Sequence, residues 1–167
     1  MTADEIKQLL QLEPLRMEGG FFRETYRSRW MVSPDYLPEG MQGMHSIGTA
    51  IYFLITPESY SRLHRLPGSE IFHFYLGDPV EMLQLWPDGT TRTEILGSDL
   101  AAGMHVQLHV PKHVWQGSRL LSGGSFALLG CTVSPGFDYA DYETGKRDVL
   151  LQEYPQAEAT IRALTHA

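Results

Sequence analysis

The sequence predicts an all-β sandwich or barrel with a short helix at each end. Runs of β-branched and aromatic residues short enough to be strands recur along the chain, turn signals separate them, and several alternate with the period of two that a strand requires. Sixteen glycines and ten prolines are spread between these runs rather than gathered into a linker or tail, as a many-turned β domain needs.

"MTADEIKQLLQLEP" opens with Thr2-x-x-Glu5, a capping-box pattern, and Ile6, Leu9 and Leu10 then share one stripe. A short helix ending before Pro14 is expected, covering an edge or one end of a sheet. In "EGGFFRETYRSRW", Phe22, Glu24 and Tyr26 alternate with Phe21, Arg23 and Thr25, a strand pattern. "MVSPDYLPEGMQGMH" is a loop by its Pro, Asp and Gly content. The strands that follow are "TAIYFLIT", "YSRLHRL", "EIFHFYLG", "VEMLQLWP", "TRTEILG", "HVQLHVP" and "SFALLGCTVS", with turns at "PDG" (87–89), "GSDLAAG" (97–103) and "SGG" (122–124). The tail "RDVLLQEYPQAEATIRALTHA" returns to helical spacing, and Pro155 starts its last segment. Neither a repeat nor a composition break divides the 167 residues, so the expectation is one domain over 1–167.

A net charge of −7 with no Lys/Arg cluster argues against nucleic acid, whose binding needs cations to neutralise phosphates. No basic leader and no membrane-length apolar run is present, so no membrane partner is expected. The single cysteine, Cys131, lies in the apolar run "FALLGCTVSPG" and reads as a small buried hydrophobe. A soluble cytoplasmic protein is the expectation. Dinucleotide, P-loop, zincin and serine-hydrolase signatures are missing.

The stretch "SRLHRLPGSEIFHFYLG" (61–77) carries the most chemistry. With Leu66, Pro67 and Gly68 as a hairpin loop, His64 falls directly opposite Glu70, with Cβ atoms roughly 5 Å apart; a two-residue loop would set His64 against Ile71. Phe72 and Phe74 follow Glu70 on its face, so an inward-facing pair sits among aromatic rings and burial raises the Glu70 pKa unless His64, Arg62 or a metal compensates. The alternative is a solvent-side pair. His73 has the opposite parity to Glu70. His105, Gln107 and His109 alternate with Val106, Leu108 and Val110, which reads as the solvated row of a strand; residues four apart there are about 13 Å apart, too far to share a metal. Asp138 and Asp141 in "PGFDYADYE" read as turn and cap residues. His45 and His166 carry no local signal.

These motifs resemble a cupin, the double-stranded β-helix or jelly-roll barrel. The first cupin motif is His-x-His, three or four residues, Glu, six residues, Gly; here His64, Glu70 and Gly77 match, with one extra residue before the glutamate, and Arg62 stands at the first histidine. The second motif is Pro-x-Gly, two residues, His; here Pro111 matches, with His113 at the glycine and Gln116 at the histidine. The order "EGGFFRETYRS", "TAIYFLI", "SRLHRLPGSEIFHFYLG", "LGSDLAAG", "VPKHVWQGS", "CTVSPGFDYADYE" resembles more closely a cupin family long catalogued as a domain of unknown function (cupin type five), over Leu9 to Tyr154. The early strand is also similar to that of dTDP-sugar 3,5-epimerases. The resemblance implies an all-β cupin jelly-roll barrel with short N- and C-terminal helices, and a homodimer.

On this reading the barrel pocket takes a small polar molecule. His64 serves as general acid or base with Glu70 orienting it, as in an isomerase or epimerase. Arg23 or Arg62 holds an anionic group, and Phe72, Phe74 and Gln116 line the site. One alternative is a divalent metal ion held by His64, Glu70 and Gln116 in an oxygenase or hydrolase; another is a non-catalytic binding or sensing module.

Overall fold

The computed structural model describes residues 1–166. In chain order its elements are α1 (Ala3–Leu10), β1 (Glu13–Pro14), β2 (Phe21–Arg27), β3 (Met31–Val32), β4 (His45–Ser46), β5 (Thr49–Ile55), β6 (Ser61–Arg65), β7 (Ser69–Gly77), β8 (Val80–Leu85), β9 (Thr91–Leu96), β10 (Gln107–Val110), β11 (Trp115–Leu120), β12 (Ala127–Ser134), β13 (Glu143–Thr144), α2 (Arg147–Glu153) and α3 (Glu158–Ala163), with single 3-10 turns at Pro34–Tyr36, Tyr139–Asp141 and Pro155–Ala157. Among the described residues, no helix is long and apolar enough to cross a membrane.

Two antiparallel sheets face each other, as the jelly-roll resemblance implies. One runs β1-β2-β5-β12-β7-β10 and the other β13-β6-β11-β8-β9; β3 and β4 form a separate two-stranded ribbon. The main core lies between the sheets, where Phe53, Ile55, Phe72, Val80, Met82, Leu96, Val110, Leu129, Cys131 and Val133 interdigitate. Burying a side chain such as Leu or Phe from water contributes roughly 1.5–3 kcal/mol, so this layer holds the sheets in register.

The helices cover the outer faces. The capping box at Thr2 forms as the sequence predicts: Glu5 N–H donates to Thr2 Oγ1, and Thr2 N–H to Glu5 Oε2. α1 lies over one end of the first sheet, on its outer face, where Leu54 and Leu128 stand next to the ends of β5 and β12. Ile6 packs with Leu54 and Leu128, because the outward residues of β5 and β12 are themselves apolar and need a cover. At the other end Leu150, Tyr154, Ile161 and Leu164 close over Leu63, Leu83, Leu85 and Trp115 on the outer face of the second sheet.

The sequence-predicted hairpin between His64 and Glu70 does not form. β6 pairs with β11 and β13, whereas β7 pairs with β12 and β10. Leu66–Pro67–Gly68 is therefore a crossing from one sheet to the other. Leu63 of β6 lies under the C-terminal helices, and Leu66, just past its end, enters the inter-sheet core at the start of the crossing. The sequence reading lacks one long strand, β11 (Trp115–Leu120), and the two-residue strands β1, β3, β4 and β13, of which β3 and His45 of β4 fall in the expected loop at 31–45. The "WQGSRL" of β11 has a glycine and little β-branching, and Gly117 is needed there because a Cβ would press on the β6 backbone at 3.0 Å.

The turns at 87–89, 97–103 and 122–124 form where expected, each with a left-handed glycine, Gly89, Gly103 and Gly123. The row at 105–109 is largely solvated as predicted: Gln107 and His109 are exposed, and half-buried His105 bonds Glu94 at 3.0 Å.

Candidate functional site

Two sheets and one loop converge on His64. Its strand partners in β11 and β13 are Gln116 and Thr144, and Glu70 reaches it from the facing sheet, with Nε2 to Oε1 at 3.9 Å. The third approach comes from the segment before β2. Gly19 and Gly20 both adopt left-handed φ, +108° and +70°, and the turn they allow brings Glu18 against β6. There Arg62 N–H donates to the Glu18 carbonyl (2.9 Å) and Ser61 Oγ–H to Glu18 Oε1 (2.5 Å). Glu18 Oε2 then faces His64 Nε2 at 3.9 Å. The imidazole stands between two carboxylates.

The ring's tautomer follows from its contacts. Nδ1 lies 2.7 Å from the Arg62 carbonyl, which can only accept, so Nδ1 carries the proton and a neutral ring presents a lone pair at Nε2. Gln116 Nε2 sits 2.8 Å from that lone pair and donates to it, with its other N–H toward Glu70 Oε1 at 3.4 Å. Tyr142 stacks on the other side of the imidazole, centroids 4.7 Å apart and planes 20° from parallel. The ring is fixed in plane, tautomer and tilt.

Glu70 is buried, 5% exposed. Burial pushes its carboxyl above the usual carboxylate range; His64 pulls it partly back, the neighbouring Glu18 charge adds to the rise, and the Cys131 thiol (Sγ to Oε2, 3.4 Å) and Gln116 moderate it. Burial and the same carboxylates push the Cys131 thiol well up, which makes it an inert buried donor rather than a nucleophile.

A pocket opens onto this group. Its cavity volume is about 70 Å³, with His64, Glu70, Glu18 and Cys131 at its polar side and Phe22, Phe53, Phe72 and Phe137 among its apolar walls. At the rim Arg27 is held by Glu24 (Nε–Oε1 3.0 Å, Nη2–Oε2 2.7 Å) and by the Phe137 carbonyl (3.1 Å).

The family model described as Cupin superfamily (DUF985), Cupin_5, matches residues 4–145 of this chain. The chain belongs to the Cupin_5 family. It is 30% identical over 133 residues to the uncharacterized protein YML079W of Saccharomyces cerevisiae, covering 75% of this chain and 66% of the yeast protein, so the chain spans about two thirds of that relative's length. Among solved structures, a hypothetical protein from Leishmania major superposes with a TM-score of 0.90 at 34% identity, covering both chains fully. Protein SO0799 from Shewanella oneidensis gives 0.87 at 36% identity, covering 99% of this chain and 98% of that one.

In this Cupin_5 chain the sequence-predicted residues divide. His64, Glu70 and Gln116 come together, and His64, Glu70 and Phe72 line the pocket, while Gln116 lies outside its lining. Phe74 packs against the core without reaching the pocket lining. Arg23 lies outside the lining, its guanidinium 5.7 Å from the centre of the Tyr52 ring, and Arg62 donates from Nη1 to the Met17 carbonyl at 3.2 Å. Neither is placed to hold an anion in the pocket. His113, at the glycine position of the second motif, takes left-handed φ of 63°, the conformation a glycine would supply there.

The donor set does not suit the metal that the cupin fold implies. Arg62 replaces one histidine and cannot ligate. Gln116 replaces another and presents N–H, not oxygen, to His64 Nε2. Among the described residues, no group of three or more His, Cys, Asp or Glu side chains is placed to hold a metal ion.

Sequence reasoning missed Glu18, Ser61, Tyr142 and the Glu18-bearing turn. The "EGG" at 18–20 was the available signal: paired glycines between Glu and a strand mark a tight turn that aims the preceding side chain.

Proposed function

We propose that the barrel pocket binds a small polar molecule and that His64 transfers a proton on it, in the manner of an isomerase or epimerase. The observation that carries this reading is the imidazole held between Glu18 and Glu70 at 3.9 Å each, with its Nδ1 proton committed to a backbone carbonyl. A base needs one free basic atom at the substrate and an environment that accepts the charge it takes up. His64 Nε2, where Gln116 donates at 2.8 Å, becomes that atom when the amide N–H is drawn away, and the two carboxylates stabilise the imidazolium. When Nε2 takes the proton, Gln116 turns its N–H away and keeps its contact with Glu70. The proton taken from carbon then returns to the same or a neighbouring carbon, so the step is balanced without a redox partner.

The test incubates the protein with a cell metabolite extract in D2O and follows single-deuterium incorporation by mass spectrometry. Incorporation into a discrete compound with the wild type, absent with His64→Gln and Glu70→Gln of unchanged circular dichroism, supports the reading. Saturable ligand binding with no incorporation overturns proton transfer and leaves a binding module.

A further inference from the structure

We propose that the ligand of this pocket is a donor-rich, uncharged or cationic ring compound, and that the site rejects carboxylates and phosphates. The inference rests on the pocket reading above and names its substrate class.

The charge census comes first. The ionisable side chains lining the pocket include the carboxyls Glu18, Glu24 and Glu70, His64 and the guanidinium of Arg27. The charge of Arg27 is already paired, because Glu24 takes its Nε and Nη2 in two hydrogen bonds and the Phe137 carbonyl takes a third from Nη2. Two other arginines, Arg23 and Arg62, lie outside the lining, Arg23 beside the Tyr52 ring and Arg62 bonded to the Met17 carbonyl. Among the described residues lining the pocket, an anion entering here meets three carboxyls and one arginine already paired with Glu24, at a depth where water screens poorly.

The hydrogen-bond census agrees. Glu18 Oε1 accepts from Ser61, which leaves Oε2 facing His64 at 3.9 Å. Both hydrogen bonds to Glu70 are long, 3.4 Å from Gln116 and 3.4 Å from Cys131. Buried acceptors in excess of donors select a ligand that brings N–H or O–H groups. The walls set its body: Phe22, Phe53, Phe72 and Phe137 with Leu15 and Ile51 suit a flat apolar ring, and aromatic faces add attraction for a cation.

Benzamidine, benzamide and benzoate test this, because the three share one ring and nearly one shape and differ in charge and donors. Isothermal titration calorimetry on the full chain is expected to rank benzamidine tightest and benzoate weakest, by about tenfold or more, equivalent to about 1.4 kcal/mol. Glu18→Gln should weaken benzamidine by about tenfold while leaving benzamide within about twofold. That second comparison separates pocket binding from general attraction of a cation to a chain of charge −7. If Glu18→Gln fails to fold, nuclear Overhauser contacts between benzamidine ring protons and the Ile51 and Val133 methyls of the wild type serve instead. Benzoate binding as tightly as benzamidine, benzamidine insensitive to Glu18→Gln, or no contact to those methyls overturns the proposal. Because the deuterium-exchange test uses none of these probes, failure here is distinguishable from failure of proton transfer.

Discussion

His64 Nε2 and Glu70 Oε1 lie 3.9 Å apart although their strands belong to different sheets and share no backbone pairing. The pair is a contact across the barrel, and Gln116 bridges it with one N–H to each partner. Several expected outcomes depend on that arrangement.

Gln116→His places an imidazole where the cupin pattern carries its metal-ligating histidine, beside His64 and Glu70. The wild type should show no stoichiometric Mn2+ or Co2+ binding in calorimetric titration, because its amide N–H occupies His64 Nε2. The variant should bind at micromolar metal, as a third good donor completes a set suited to divalent ions. Equal behaviour of the two proteins would count against the donor argument.

The Glu70 carboxyl sets a pH dependence. Its native pKa lies above the ordinary 4.5 because burial disfavours the charge, so the folded chain keeps this proton to higher pH than the unfolded one. The stability it contributes is complete below the unfolded pKa and is lost as pH rises through the native pKa. Denaturant unfolding of wild type and Glu70→Gln should therefore diverge in favour of the variant as pH rises from about 4.5. A difference that shrinks with rising pH refutes the assignment.

Gly19→Ala attacks the turn that aims Glu18. The position has φ +108°, and an added Cβ would collide with the Tyr60 backbone carbonyl. Forcing that backbone out of place should cost about 2 kcal/mol or more in thermal unfolding, and should weaken ligand binding as Glu18 leaves Ser61.

Asp141→Ala removes the partner of His45, whose Nε2 lies 2.8 Å from Asp141 Oδ2 with both side chains nearly inaccessible, 2% and 6% exposed. Leaving one member of a buried pair alone costs on the order of 3 kcal/mol. The melting temperature should fall accordingly, and the Tyr139–Tyr142 segment at the pocket mouth should gain protease sensitivity.

Much of this was legible in the chain. Alternation and turn residues located nearly all the long strands, the Thr2–Glu5 capping box forms, and His64, Glu70 and Gln116 meet as the cupin pattern implies. The register between β6 and β7 was not legible, because periodicity along one strand says which residues share a face and nothing about which sheet a strand joins. β11 escaped because its inward residues, Gln116 and Ser118, are polar. The burial that makes Gln116 useful is also what hides its strand. His45 carried no signal because its partner lies 96 residues away.

The crossing at Leu66–Pro67–Gly68 gives any occupant of the pocket a mechanical role. A molecule touching both His64 and Glu70 grips one residue from each sheet, just past the point where the chain passes between them. It acts as a rivet through the sandwich. Ligation should then slow hydrogen exchange on the inner strands of both layers together.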